Sequence, residues 1–136
     1  MSIEKLKINL RDNTSMSLFP VVGKQGMPNT FYIGDGKHNN GFMELIHIDK
    51  FGKRVTTGLR LEQVNWLSNY IEQGGSAWVL VKIGKDFTCL FWGETCKDLM
   101  NKPTAKDFMS RATWSKRGNL KKKDWAEMED VILNAA

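Results

Sequence analysis

The amino-acid sequence predicts an α/β domain, a mixed central sheet flanked by helices, and three observations carry that prediction. Five extended runs, near 16–22, 30–33, 41–48, 77–83 and 87–92, are interrupted by one strongly amphipathic stretch over 59–73. The run at 77–83 is almost continuously apolar, as a strand covered on both faces requires. The 136 residues, 41% of them hydrophobic, suffice for one packed core, so a second independent domain is not expected.

Taken in order, the chain opens with a helix that Ser2 can cap and that runs to about Arg11. Ile3, Leu6 and Leu10 recur there near helical period, and Glu4, Lys5 and Lys7 occupy the other faces. Asn13 to Ser15 ends it. The first three extended runs follow, joined by glycine-bearing segments at 23–26 and 34–41, the pattern of a meander. No Lys-Ser/Thr pair follows Gly34, Gly36 and Gly41, so that segment reads as a polar hairpin connection, not a nucleotide loop.

In the amphipathic stretch, Val64, Leu67, Tyr70 and Ile71 form one stripe, and Gly74 and Gly75 stand where a helix terminates through a left-handed residue. Trp66, Trp78 and Trp92 lie within apolar elements and are expected in the core. Residues 102–123 are rich in Lys and Arg with little apolar periodicity, which predicts a long, mobile connection. A final helix is expected from Asp124, with Asp124 as its cap, Glu127 reaching back, and Trp125, Met128, Val131 and Ile132 as its apolar face. The chain is thus divided into a domain at 1–101 and a basic connection with a terminal helix at 102–136.

The formal charge is +5 and the sequence pI about 9.3. Such a surface attracts polyanions, nucleic acid foremost. An anionic membrane would respond to the same charge, but the early apolar run from Leu18 to Val22 contains Pro20 and is far too short to span a bilayer. No secretory signal precedes it, so a cytoplasmic location with reduced thiols is expected. Cys89, Cys96, His38 and His47 lack the paired close spacings of a zinc site.

Three segments carry chemistry in an ordered set: Gly26-Met27-Pro28-Asn29, Phe42-Met43-Glu44-Leu45-Ile46 and Glu62-Gln63-Val64-Asn65-Trp66-Leu67. The set resembles small stand-alone VRR-NUC and Holliday-junction-resolvase-like members of the PD-(D/E)XK nuclease superfamily, often encoded by phages. The resemblance covers about 2–83 and implies a restriction-endonuclease-like core followed by the basic extension. In that family a Gly-x-Pro-Asp enters the second strand, a Glu-x-Lys lies on the third, and a Gln-x-x-Trp-Leu opens the next helix. Cleaving a phosphodiester calls for a divalent cation held by carboxylates, with a lysine assisting the water or the transition-state charge.

The resemblance implies Glu44 and Asn29 as metal ligands, and Glu44, Gln63, Asn29 and Arg60 as the catalytic set. Two positions depart from the pattern. Asn29 stands where the family has Asp, and Ile46 where it has Lys, so Mg²⁺ is expected to bind weakly or not at all. His47 cannot replace the lysine, because alternation puts it on the strand face opposite Glu44. Arg60 lies one helical turn before Gln63, and Lys24 just precedes the Gly-x-Pro turn, so either could supply positive charge.

The nucleic-acid-binding candidates are Lys24, Arg111, Lys116, Arg117, Lys121, Lys122 and Lys123, with Trp114 as a stacking aromatic between basic residues. Three functions stay open. The first is a nucleic-acid-binding protein with nuclease-like fold and weak or lost hydrolysis. The second is an active Mg²⁺-dependent, structure-specific DNA endonuclease. The third is a phage-encoded binder or inhibitor of a host protein. The resemblance also leaves a homodimer open.

Overall fold

The computed structural model describes residues 3–23, 25–34 and 39–134. It has a six-stranded mixed sheet with helices on both faces. In chain order the elements are α1 (Ile3–Asn13), β1 (Ser17–Pro20), β2 (Thr30–Ile33), β3 (Asn40–Ile48), α2 (Leu61–Glu72), β4 (Ala77–Ile83) and β5 (Phe87–Trp92). A 3₁₀ helix (Gly93–Leu99), α3 (Ala105–Ser110), β6 (Trp114–Arg117) and α4 (Lys122–Asn134) complete the chain. The strands lie in sequence order across the sheet. Every neighbouring pair is antiparallel except β3 and β4, which run parallel and are joined across the sheet by α2.

Alternation along the central strands divides the core in two. Ile46, Val79, Val81 and Phe91 face a layer made by α2, the 3₁₀ helix and α3, with Val64, Leu67 and Phe108 packed against them. Met43, Leu45, Trp78, Leu80 and Leu90 face α1 and α4, which contribute Leu6, Leu10, Trp125, Met128 and Ile132. All seven residues of β4 are buried, as the apolar run predicts. Trp78 is fully buried, whereas Trp66 and Trp92 are half-buried at the margins of the two cores.

The end of α2 follows from its sequence. Gly74 adopts φ +101°, its N–H donates to the Ile71 carbonyl, and the Gly75 N–H donates to that of Tyr70. These two bonds satisfy carbonyls that the last helical turn leaves free, and the left-handed residue between them favours glycine.

The C-terminal part departs from expectation. In place of a mobile connection over 102–123, the chain forms α3 and then β6, which extends the sheet antiparallel to β5 from Phe87↔Arg117 to Leu90↔Trp114. Thr104 caps α3 by accepting from the Asp107 N–H at 3.2 Å, and Phe108 is fully buried. The Val55 N–H donates to the Pro103 carbonyl at 2.8 Å, anchoring the stretch before α3 as well. The 102–136 segment is therefore built into the same sheet and cores as the rest.

The last helix begins two residues earlier than expected. Asp124 lies in its first turn, and its Oδ2 accepts from the Lys121 N–H at 2.8 Å. It thus reaches back to the capping position and does not occupy it. That bond holds the buried Asp124 carboxyl below the ordinary carboxylate range, against the opposing effect of burial and with help from Lys116 at 3.5 Å. At the other end of the chain, Ser2, the expected cap of α1, lies outside the described residues.

Candidate active site

The site forms where β2 meets β3 beneath the start of α2. Gly26, at φ +94°, carries the chain against the first turn of α2, and a Cβ there would stand 3.0 Å from the Glu62 carbonyl oxygen. Gln25 fastens the same approach by donating to Glu62 Oε1 at 3.0 Å. Asn29 then arrives beside Glu44, which faces the α2 layer in register with Val79.

The Glu44 carboxylate accepts from two neutral donors. The Asn29 backbone N–H reaches Oε1 at 2.8 Å, and Gln63 Nε2 reaches Oε2 at 3.2 Å. Gln63 has its orientation fixed by the helix, because its Oε1 accepts the Arg60 N–H at 2.9 Å and so closes the first turn of α2. Its amide nitrogen is left pointing at Glu44. Burial raises the Glu44 pKa above its ordinary value, while the Asn29 and Gln63 hydrogen bonds and the Arg60 charge act the other way.

Asn29 uses its side chain on the backbone. Oδ1 accepts from the Leu45 N–H at 3.0 Å and from Thr30 Oγ1 at 3.0 Å. Nδ2 donates to the Leu45 carbonyl at 3.1 Å. The amide thereby extends the β2–β3 ladder by one rung.

These bonds bear on whether a divalent cation fits. Mg²⁺ demands near-octahedral oxygen ligands, with carboxylates supplying the compensating charge. Among the described residues, Glu44 supplies the one carboxylate bonded to Asn29 and Gln63, each of its oxygens already accepts a hydrogen bond, and the neighbouring amide oxygen accepts two. Among the described residues, no group of three or more His, Cys, Asp and Glu side chains is placed to hold a metal ion. The donor set does not fit Mg²⁺.

The structure thus brings Asn29, Glu44 and Gln63 together. The Arg60 guanidinium is paired with Glu62 at 3.0 Å, and Ile46 is packed in the α2-side core. His47 projects to the other face, its Nδ1 3.8 Å from Asp49 Oδ1. Lys24 lies outside the described residues. The basic candidates lie elsewhere, since β6 is separated from β3 by β4 and β5, three strand spacings of about 4.8 Å each.

Several basic candidates are also engaged where they stand. Arg111 is ion-paired with Asp98 at 3.1 Å, and Lys116 with Asp124 at 3.5 Å. Arg117 lies over the Phe87 ring at 5.8 Å. Trp114 is half-buried against the α4-side core, a packing position in place of the open stacking platform expected from sequence. Lys121, Lys122 and Lys123 are exposed. Sequence reasoning missed Gln25, which directly precedes one recognised motif, and gave no role to Glu62, the first residue of another, although the two are bonded.

The fold and site define an α/β protein with a mixed sheet and a hydrogen-bonded cluster around the Glu44 carboxylate at a strand–helix junction. No protein-family model matches the sequence, and no curated protein matches it. Among solved structures it is similar to Hjc, a Holliday junction resolvase from the archaeal hyperthermophile Archaeoglobus fulgidus. That alignment has 13% identity and a TM-score of 0.48, covering 65% of this chain and 74% of the resolvase. Among the described residues, no helix is long and apolar enough to cross a membrane.

Proposed function

We propose that this protein binds nucleic acid through a PD-(D/E)XK-like fold of the VRR-NUC and resolvase-like kind, with phosphodiester hydrolysis weak or lost. The observation that carries this reading is the Asn29 amide, bonded through both its oxygen and its nitrogen to the Leu45 backbone. A second metal-binding carboxylate is thereby replaced by a structural bridge. Glu44 remains, but its partners are neutral amides, and the position of an assisting lysine is filled by a core isoleucine.

The binding half of the proposal rests on the net charge and on Lys121, Lys122 and Lys123, exposed at the start of α4. The test is to titrate the full chain with duplex, branched and single-stranded DNA at several salt concentrations, then incubate it with each in Mg²⁺ and Mn²⁺. Salt-dependent binding without cleavage is expected. Cleavage abolished by Glu44→Ala would overturn the loss of hydrolysis, and absence of binding at low salt would overturn the nucleic-acid assignment.

A further inference from the structure

The face of the sheet opposite Glu44 holds a polar cavity unrelated to the candidate active site. Lys82 and Thr88 are paired in the β4–β5 register. They point to the α1 and α4 side, in phase with Leu80 and Leu90. With Asn9 and Asn13 of α1 and Asn119 before α4, they line a cavity of about 280 Å³.

Two features make this more than a packing gap. Lys82 is 6% exposed and Thr88 0%, and Thr88 Oγ1 is buried with no hydrogen-bond partner. No hydrogen bond or ion pair engages the Lys82 ammonium among the described residues. His47, beside Lys82 in the β3–β4 register, adds a buried Nε2 that also lacks a partner. Two side chains able to donate to an anion, Lys82 and Thr88, thus stand side by side on adjacent strands and line the cavity.

The charge around them is one-sided. Among the described residues, no carboxylate lines the cavity. Of the nearby acids, Asp124 is committed to Lys116 and to the Lys121 N–H, and Asp86 exerts only a longer-range pull on Lys82. A lysine held mostly out of water with only a longer-range acid to balance it is costly, and an anionic occupant would lower that cost.

We propose that this cavity binds a small phosphate-bearing molecule, with Lys82 and Thr88 holding the phosphate oxygens. An ammonium, a hydroxyl and several amides suit a tetrahedral oxyanion that accepts along several directions. The apolar wall of Leu6, Leu120 and Trp125 gives an organic portion a surface to lie on. Burial already pushes the Lys82 pKa below its ordinary value, and a bound anion would push it back up.

The test is isothermal titration calorimetry of the full chain with inorganic phosphate and with adenosine monophosphate. Saturable binding of at least one is expected. Tighter binding of the nucleotide assigns the apolar wall to its organic part, and equal binding assigns the site to the bare oxyanion, both upholding the proposal. Lys82→Met should weaken binding roughly 10- to 100-fold, while Lys97→Met, which removes an exposed lysine elsewhere, should leave it unchanged. Without ligand, the melting temperature of Lys82→Met should stay level or rise, separating lost binding from unfolding. Thr88→Val removes only an unpartnered hydroxyl and should weaken binding several-fold even if Lys82→Met fails to fold. If neither probe binds, as for a cavity that takes only water, or if both variants bind like the parent, the proposal is overturned.

Discussion

The side-chain amide of Asn29 is joined through both its polar atoms to the backbone of Leu45, accepting from its N–H at 3.0 Å and donating to its carbonyl at 3.1 Å. The sequence contains the reason. Carrying the β2–β3 register on from Thr30↔Met43 sets Pro28 opposite Leu45, and proline has no N–H to offer the Leu45 carbonyl. Asn29 supplies the missing donor, and with its oxygen an acceptor as well. An aspartate could accept from Leu45 but could not donate to it.

Asn29→Asp is therefore expected to destabilise the fold by about 1–3 kcal/mol, because it strands the Leu45 carbonyl and sets a second carboxylate beside Glu44. Denaturant unfolding measures this directly. The same variant should gain thermal stability on adding Mn²⁺, since two adjacent carboxylates attract a divalent cation, whereas the parent should not respond. A parent melting temperature that climbs with Mn²⁺ would show that the existing donor set does hold metal.

Glu44 should give stability a distinctive pH dependence. Its folded pKa is raised, chiefly by burial, so in the acid range this group binds more protons in the folded state than in the unfolded chain. Its contribution must then weaken as pH rises from below the unfolded-state value through the folded-state value. Unfolding measured across the acid range should show that fall in the parent relative to Glu44→Gln, which has no carboxyl to titrate there. Matching pH profiles for the two proteins would refute it.

Phe108 sits at 0% exposure between Phe91 of β5, 4.8 Å away by ring centroids, and Phe51, at 6.1 Å. Phe108→Ala should cost about 3–5 kcal/mol. Leu67, 1% exposed on α2, should cost about 2–5 kcal/mol on truncation to Ala. Comparable losses in thermal or chemical melts would mark 102–117 as part of one cooperative unit. A negligible effect at Phe108 would return the segment to a loose connection.

For nucleic acid, replacing Lys121, Lys122 and Lys123 together with Ala should weaken binding and flatten the salt dependence, by roughly 0.9 log unit for each duplex phosphate that is no longer neutralised. Arg111→Ala should matter less, because its guanidinium is already paired with Asp98. Trp114→Ala should lower the melting temperature, since the ring packs against the core. A stable Trp114→Ala with single-strand affinity selectively lost would restore the stacking role.

By itself the sequence determined the elements whose signals are local. β2, β4 and β5 coincide with the runs 30–33, 77–83 and 87–92, and α2 with its stripe and its glycine stop, because alternation, helical period and a left-handed terminus are written in neighbouring residues. The proximity of Asn29, Glu44 and Gln63 was legible only through an ordered resemblance. That Gln63 turns its amide nitrogen to Glu44 depends on the Arg60 N–H claiming its oxygen, which the structure alone decided. The sixth strand was invisible for a related reason. Three of its four residues are exposed, so it has no apolar rhythm, and it is a strand because β5 lies alongside to pair with it. Lys82 was the one charge in an apolar run, a signal in plain view. Its meaning required Thr88 from the next strand, Asn9 and Asn13 from α1 and Asn119 before α4, partners that only the packed fold brings within reach.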